Sequence, residues 1–257
     1  SGPLKHATST TVETGATIDV SATQRGDGGT AVLWSDVQNS AGTTRVAGSI
    51  LANGGSEGGD GGRVETSGYH LDVDQAQVTA GAPRGQGGRW LLDPVGNTTL
   101  SDASSIVSSL NSGTSVEYFV DNGHLTMATN INKTSGGDAT LTLKADGNIA
   151  FINQNQSITS TSGRLNTLLW ADQDSSVGGW VLLNPGTSIQ TNGGGLWMGG
   201  GSGTMSWTPY AGGSPITVGN GAAISYGPTG DHRYGGINLN GNGGASIMLN
   251  AGAGNVY

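Results

Sequence analysis

The sequence predicts an all-β chain folded as a parallel β-helix, a solenoid with one short inserted helix, and three observations carry that prediction. A Gly-x-Gly-Gly turn recurs at Gly26, Gly28 and Gly29, at Gly59, Gly61 and Gly62, and at Gly85, Gly87 and Gly88. The runs around these turns are short, β-branched or leucine-rich, and alternate between apolar and polar residues with period two. Helical periodicity is almost absent. A β-sandwich is the alternative for strands this short, but a sandwich needs no recurring bend sequence, whereas stacked coils rebuild one corner on every layer. Glycine suits that corner because it accepts positive φ and lets backbones approach closely.

Taken in order, residues 1–6 (SGPLKH) read as a cloning remnant joined to the middle of something longer. Residues 7–98 hold the glycine-rich coils. Their turns are separated by 33 and then 26 residues, with the surplus falling in loops, where insertion is tolerated. The apolar face is read from Ile18 and Val20, Val32 and Trp34, Val46 and Ile50, Leu71 and Val73, and Trp90 to Leu92. Residues 99–115 form a helix-containing insertion, with Leu100, Ile106 and Leu110 near helical spacing, Ser101 or Asp102 to cap the start and Gly113 the end. Residues 116–257 continue the β-helix in a looser pattern, from TLTLKADGNIAFIN at Thr140 to GGINLNGNGGASIMLNAGAG at Gly235, with a C-terminal cap.

Composition narrows the function classes. Glycine supplies 48 of 257 residues without a Gly-X-Y period and with only 7 prolines, which excludes collagen and assigns the glycine to turns. Ten scattered Lys and Arg and a net charge of -8 argue against nucleic acid, whose phosphates demand clustered cations. There is no cysteine, hence neither a disulfide framework nor a thiolate metal site. No apolar stretch approaches the ~20 residues of a spanning helix, so membrane insertion is not expected.

Trp34-Ser35-Asp36, ILANGG from Ile50, GGDGGRVETSG from Gly58 and GGRWLLDP from Gly87, followed by SSIVSSLNSGTSV, together resemble the filamentous-haemagglutinin-like exoproteins of two-partner secretion in Gram-negative bacteria. The likeness is most specific over residues 16–112 and is one of style beyond residue 116. It implies a right-handed β-helix in an internal or C-terminal segment of a large adhesin, and export through a dedicated outer-membrane transporter. The family's N-terminal secretion domain, with its Asn-Pro motifs, is absent from these residues. The implied role is a non-enzymatic stalk or binding surface, secreted or cell-surface, whose partner is a host or bacterial surface glycan or protein.

Parallel β-helices also include polysaccharide lyases and glycoside hydrolases, so an enzyme is the alternative, and a protein-docking scaffold a further one. Such enzymes gather carboxylates from adjacent coils for acid/base work or to hold calcium against an acidic sugar. Asp72, Asp74, Asp172 and Asp174 are the candidates, weighed against solvated edge carboxylates that discourage sheet growth. Asp231, His232 and Arg233 are the densest C-terminal charge cluster and could hold a sugar acid, although three adjacent residues on a strand cannot all face one site. His6, His70 and His124 lack metal-ligand spacing, the glycine turns open no helix and precede no Lys-Ser/Thr, and GGSEGGDGG lacks the repeated Asp of calcium-binding nonapeptides. No metal or cofactor is expected.

Trp197, Trp207 and Tyr210 give the best binding signal, because the glycines around them leave large rings little to pack against and such platforms stack on sugars or proteins. The competing reading is a cap over the last coil. Trp34, Trp90, Trp170 and Trp180 read as core or corner stacks. Asn97, Asn132 and Asn155 head glycosylation triplets, which chance readily produces in a chain so rich in Asn and Thr.

Overall fold

The computed structural model describes residues 6–176, 178–220, 236–239 and 247–257. It divides into two compact units, one reaching Val95 and taking in Ser104–Val116, the other made of Gly96–Ala103 and Glu117–Tyr257. Each is a parallel β-solenoid, and the chain winds about six turns.

In unit 1 the first coil is β1 (Ser9–Val12), β2 (Thr17–Asp19) and β3 (Thr30–Trp34). The second is β4 (Thr43–Val46), β5 (Ser49–Leu51) and β6 (Arg63–Gly68), and the third β7 (His70–Asp72), β8 (Gln77–Thr79) and β9 (Arg89–Pro94). Equivalent strands stack in parallel as β1-β4-β7, β2-β5-β8 and β3-β6-β9. Thr30 stands opposite Arg63 and Arg63 opposite Arg89, so the strands inherit the 33- and 26-residue offsets of the turns before them.

The corner is built as the repeats require. Gly26 N donates to Gly58 O, Gly28 N to Asp60 O and Gly61 N to Gln86 O. A Cβ placed on Gly28 would lie 2.6 Å from Gly62 N, and one on Gly62 would lie 2.6 Å from the Gly28 carbonyl carbon. Positive φ is the rarer reason for glycine here: of the nine turn glycines only Gly26 (118°) and Gly59 (125°) adopt it, Gly29 lies against Val20 of its own coil, and close approach of neighbouring backbone accounts for the rest. The residue between the glycines forms its own ladder, with Asp60 N donating to Asp27 Oδ1 and Gln86 N to Asp60 Oδ1, both at 2.8 Å.

This corner also sets which face of each strand points inward. The second residue after the Gly-Gly pair is buried on all three coils, as Ala31, Val64 and Trp90. The expectation that Val32 and Trp34 face the core is therefore corrected: Ala31 and Leu33 point in, and Val32 and Trp34 are 53% and 55% exposed. The run TAVLW is apolar on both faces, so alternation leaves its phase open, and a shift of one residue exchanges the faces.

The predicted helix is α1 (Ser104–Asn111), with Ile106 and Leu110 buried and Gly113 at φ 80° closing its end. It packs along β8, where its hydroxyls take over the hydrogen bonds a further strand would make. Ser109 Oγ donates to Val78 O, Ser105 Oγ to Val73 O, and Thr114 Oγ1 accepts from Ala80 N. The serine run thus satisfies a sheet edge that would otherwise be buried without partners. Leu100, expected in the helical pattern, lies instead in a strand of unit 2.

Unit 2 has a sheet of β10 (Thr98–Leu100), β12 (Leu125–Met127), β15 (Ile149–Phe151), β18 (Trp180–Leu183) and β23 (Gly236–Leu239). A second sheet stacks β13 (Ile131–Lys133), β16 (Ser157–Ser160), β19 (Ser188–Gln190) and β24 (Met248–Asn250). The long sheet carries β11 (Ser115–Val120), β14 (Ala139–Ala145), β17 (Leu165–Ala171) and β20 (Leu196–Gly200). Leu141, Phe151, Ile158, Val181 and Ile189 fill the interior. Lys133 is also fully buried: its Nζ donates to Ser135 O and Ser162 O at 2.5 and 2.6 Å, and burial pulls its pKa below the ordinary lysine value against the opposing pull of Asp138. Beyond β20, β21 (Thr204–Trp207) and β22 (Ile216–Gly219) form an antiparallel hairpin.

Candidate functional site

The outer side of strand β3 in the β3-β6-β9 stack of unit 1 presents an aromatic ring to solvent. Period-two alternation places Val32 and Trp34 of β3 outward beside Glu65 and Ser67 of β6. Trp34 Nε1 donates to Glu65 Oε1 at 2.9 Å, Arg63 Nη2 meets Glu65 Oε2 at 2.5 Å, and Ser67 Oγ donates to Oε1 at 3.4 Å. Glu65 is itself 7% exposed. A nearly buried carboxylate thus holds one edge of the indole while its face stays open, and the Arg63 side chain stands half-exposed. Such a ring can stack on the C–H face of a pyranose or on an apolar side chain without first paying the entropy of being ordered.

In unit 2 the outward tryptophans are covered. Leu168 and Trp170 of β17 point outward beside Trp197 of β20, and the hairpin lays Trp207 and Val218 over them, with Met205 and Ile216 at the margin. Trp170 and Trp197 meet edge to face with centroids 5.8 Å apart, and Lys144 Nζ lies 4.7 Å from the Trp170 ring and 4.8 Å from that of Phe119. Trp197 is fully buried and Trp207 is 7% exposed. The expectation that glycines leave these rings little to pack against is corrected: they pack on each other across the hairpin and form no open platform. Tyr210 is half-buried, with the Arg164 guanidinium 4.6 Å from its ring.

Trp90 and Trp170 are buried as expected and Trp180 is half-buried, whereas Trp34 departs from that expectation. Asp231, His232 and Arg233 lie outside the described residues. Asp72 and Asp74 belong to unit 1, where Asp72 pairs with Arg45 at 3.3 Å. Asp172 and Asp174 belong to unit 2 and sit in one turn, Asp172 buried and Asp174 accepting from Ser176 N. His6 stands 3.8 Å from Asp36, His70 Nε2 contacts Ser40 O, and His124 Nδ1 accepts from Asn148 N. Among the described residues, no group of three His, Asp or Glu has the spacing to hold a metal ion. Asn97 and Asn132 are exposed, but their Oδ1 atoms already serve the stack, accepting from His124 N and Thr159 Oγ1.

Unit 1 also has an open groove of about 380 Å³, its lining including Ala22, Asn53, Gly54, Ser56, Gly81 and Ala82. It offers hydroxyl and amide groups, and neither an aromatic ring nor a charge lines it. Sequence reasoning missed Trp34 as a surface residue. Aligning the three coils on their glycine pair would have found it, because that alignment puts Val32 and Trp34 level with Glu65 and Ser67 and with Leu91 and Asp93, a mostly polar set. No protein-family model and no curated protein sequence matches the chain.

Proposed function

We propose that this chain is a non-enzymatic segment of a large secreted bacterial adhesin, a β-solenoid that spaces and presents a glycan-binding surface at the exterior of a Gram-negative cell. The resemblance to two-partner secretion exoproteins carries the export route, in which a dedicated outer-membrane transporter passes the parent chain. The binding surface is the outer sheet face around Trp34. The observation that carries this reading is an indole that is 55% exposed yet held at its nitrogen by a nearly buried Glu65. An exposed tryptophan with no task would have no need of that fixing bond, while one that stacks on a sugar ring gains from it, and the half-exposed Arg63 side chain stands close by for ring hydroxyls.

A glycan array probed with the wild-type chain and with Trp34→Ala tests the reading. The wild type is expected to bind a restricted set of glycans and the variant to lose about 10- to 30-fold in affinity, the usual loss at an aromatic hot spot. Trp34→Phe, which keeps a stacking face, is expected to retain part of the binding. Absence of binding by the wild type, or equal binding by Trp34→Ala, overturns it, and a wild type that instead captures an extracellular protein through Trp34 moves the surface to the docking-scaffold reading. Release of shortened or unsaturated oligosaccharides from a polysaccharide would replace it with the enzyme alternative.

A further inference from the structure

We propose that Asp121 and Asp146 of unit 2 form a carboxyl pair that shares one proton, locking a corner of the solenoid in acid and loosening it at neutral pH. The two residues follow equivalent strands of the long sheet, Asp121 after β11 and Asp146 after β14. Asp146 N donates to Val120 O at 3.2 Å, which seats it directly on the coil that carries Asp121. Its Oδ2 accepts from Asn122 N at 2.8 Å, an amide presented by a residue in the left-handed region at φ 53°. The other oxygen, Oδ1, is buried and has no donor within reach, although the whole residue is only 7% exposed.

What faces Asp146 is acidic from both sides. The Asp121 carboxyl lies within hydrogen-bonding reach, and Asp174 from the turn after β17 adds a second like charge. Asp172, also buried, occupies the next position along the same register and donates its N–H to Gly147 O. Two ionised carboxylates cannot share such a site, whereas a proton between them turns repulsion into an O–H···O⁻ bond and gives the orphaned oxygen its partner. A metal ion could do the same, but the carboxylates do not have the spacing for one. Burial first, and then the neighbouring aspartates, hold the Asp146 carboxyl up at about 6, against the lowering pull of the Asn122 N–H.

The sign of the pH dependence follows. The folded chain binds this proton up to a pH of about 6 while the unfolded chain releases it near 3.8. The pair's contribution to stability is therefore complete below about 4 and is lost as pH rises through about 6. In contrast, Asp27 and Asp60 of unit 1 each accept from a backbone N–H of the next coil.

The test is the thermal midpoint of the whole chain from about pH 4.5 to 8, for wild type, Asp146→Asn and Asp121→Asn, alongside a carboxyl-carbon NMR titration of the wild type. The wild-type midpoint is expected to fall between about pH 5 and 7, with one buried aspartate titrating near the middle of that range. Both variants are expected to flatten the fall, and Asp146→Asn to match or exceed the wild type at neutral pH, since its amide donates permanently what the proton donates in acid. Titration of every aspartate below about pH 4.5, or a fall in the midpoint of equal size in all three proteins, overturns the proposal. So does a rise in the wild-type midpoint on adding calcium at neutral pH that Asp146→Asn lacks, which would make the corner a cation site. If neither variant folds, the wild-type titration decides alone.

Discussion

The outward tryptophan of β3 in unit 1 is open to solvent, whereas those of β17 and β20 in unit 2 are covered. Both units direct tryptophans outward from parallel strands, yet Trp34 keeps 55% of its surface while Trp197 keeps none. Strand alternation is the same in each case. The cover comes from the chain between β20 and β23, where the β21–β22 hairpin folds back onto Leu168, Trp170 and Trp197. Outwardness on a solenoid strand and exposure to solvent are thus separate properties, and an insertion elsewhere in the coil decides between them.

Trp197→Ala is expected to have the largest effect. Removing a fully buried indole from beneath the hairpin is expected to cost about 3–5 kcal/mol, read as a lower denaturation midpoint at unchanged m-value. A loss below about 1 kcal/mol would mean that the hairpin does not rest on this face. Trp207→Ala removes the covering partner instead. The hairpin is then expected to detach before the coils unfold, so that proteolysis within residues 208–215 accelerates while the rest of the chain stays resistant.

In unit 1 the comparable sensitivity lies in the corner rather than on the face. Gly61→Ala would set a methyl group 2.8 Å from the Ala80 carbonyl carbon, with two backbones to move, and is expected to cost more than about 1 kcal/mol by the same denaturation measurement. A neutral result there would show that successive coils have slack at the glycines, against the stacking described above.

The solenoid was legible because its strongest signal, a repeated corner, is local and must recur whenever coils stack. The helix was legible for a similar reason: SSIVSSLNSG spaces Ile106 and Leu110 one turn apart and ends on a glycine. What alternation could not supply was phase. In TAVLW either face would serve as core, and only the step from Gly29 to Ala31 settles it. Nor could local pattern reveal Lys133, which shares the inward face of β13 with Ile131 because three backbone atoms of its own corner and the next await a donor, or the hairpin, whose strands look like two more coils until their antiparallel pairing is seen. The last two misses each involve a partner beyond a window of a few residues, Ser162 for Lys133 and β22 for β21.

The smallest expected effect is also the one that separates the two faces most cleanly. Trp34→Ala removes a ring that is already more than half in water, so little apolar burial is lost. It also removes one hydrogen bond to Glu65, but that carboxylate keeps Arg63 on Oε2 and Ser67 on Oε1 and is not left orphaned. The cost should be about 0.5–1 kcal/mol, several-fold below that of Trp197→Ala, measured in the same denaturant series. If the two substitutions cost alike, Trp34 is a structural residue and the open face loses its claim to a ligand. If they differ as expected while Trp34→Ala weakens glycan binding about 10- to 30-fold, the ring's contribution is to recognition, and its bond to Glu65 serves to hold it ready for contact.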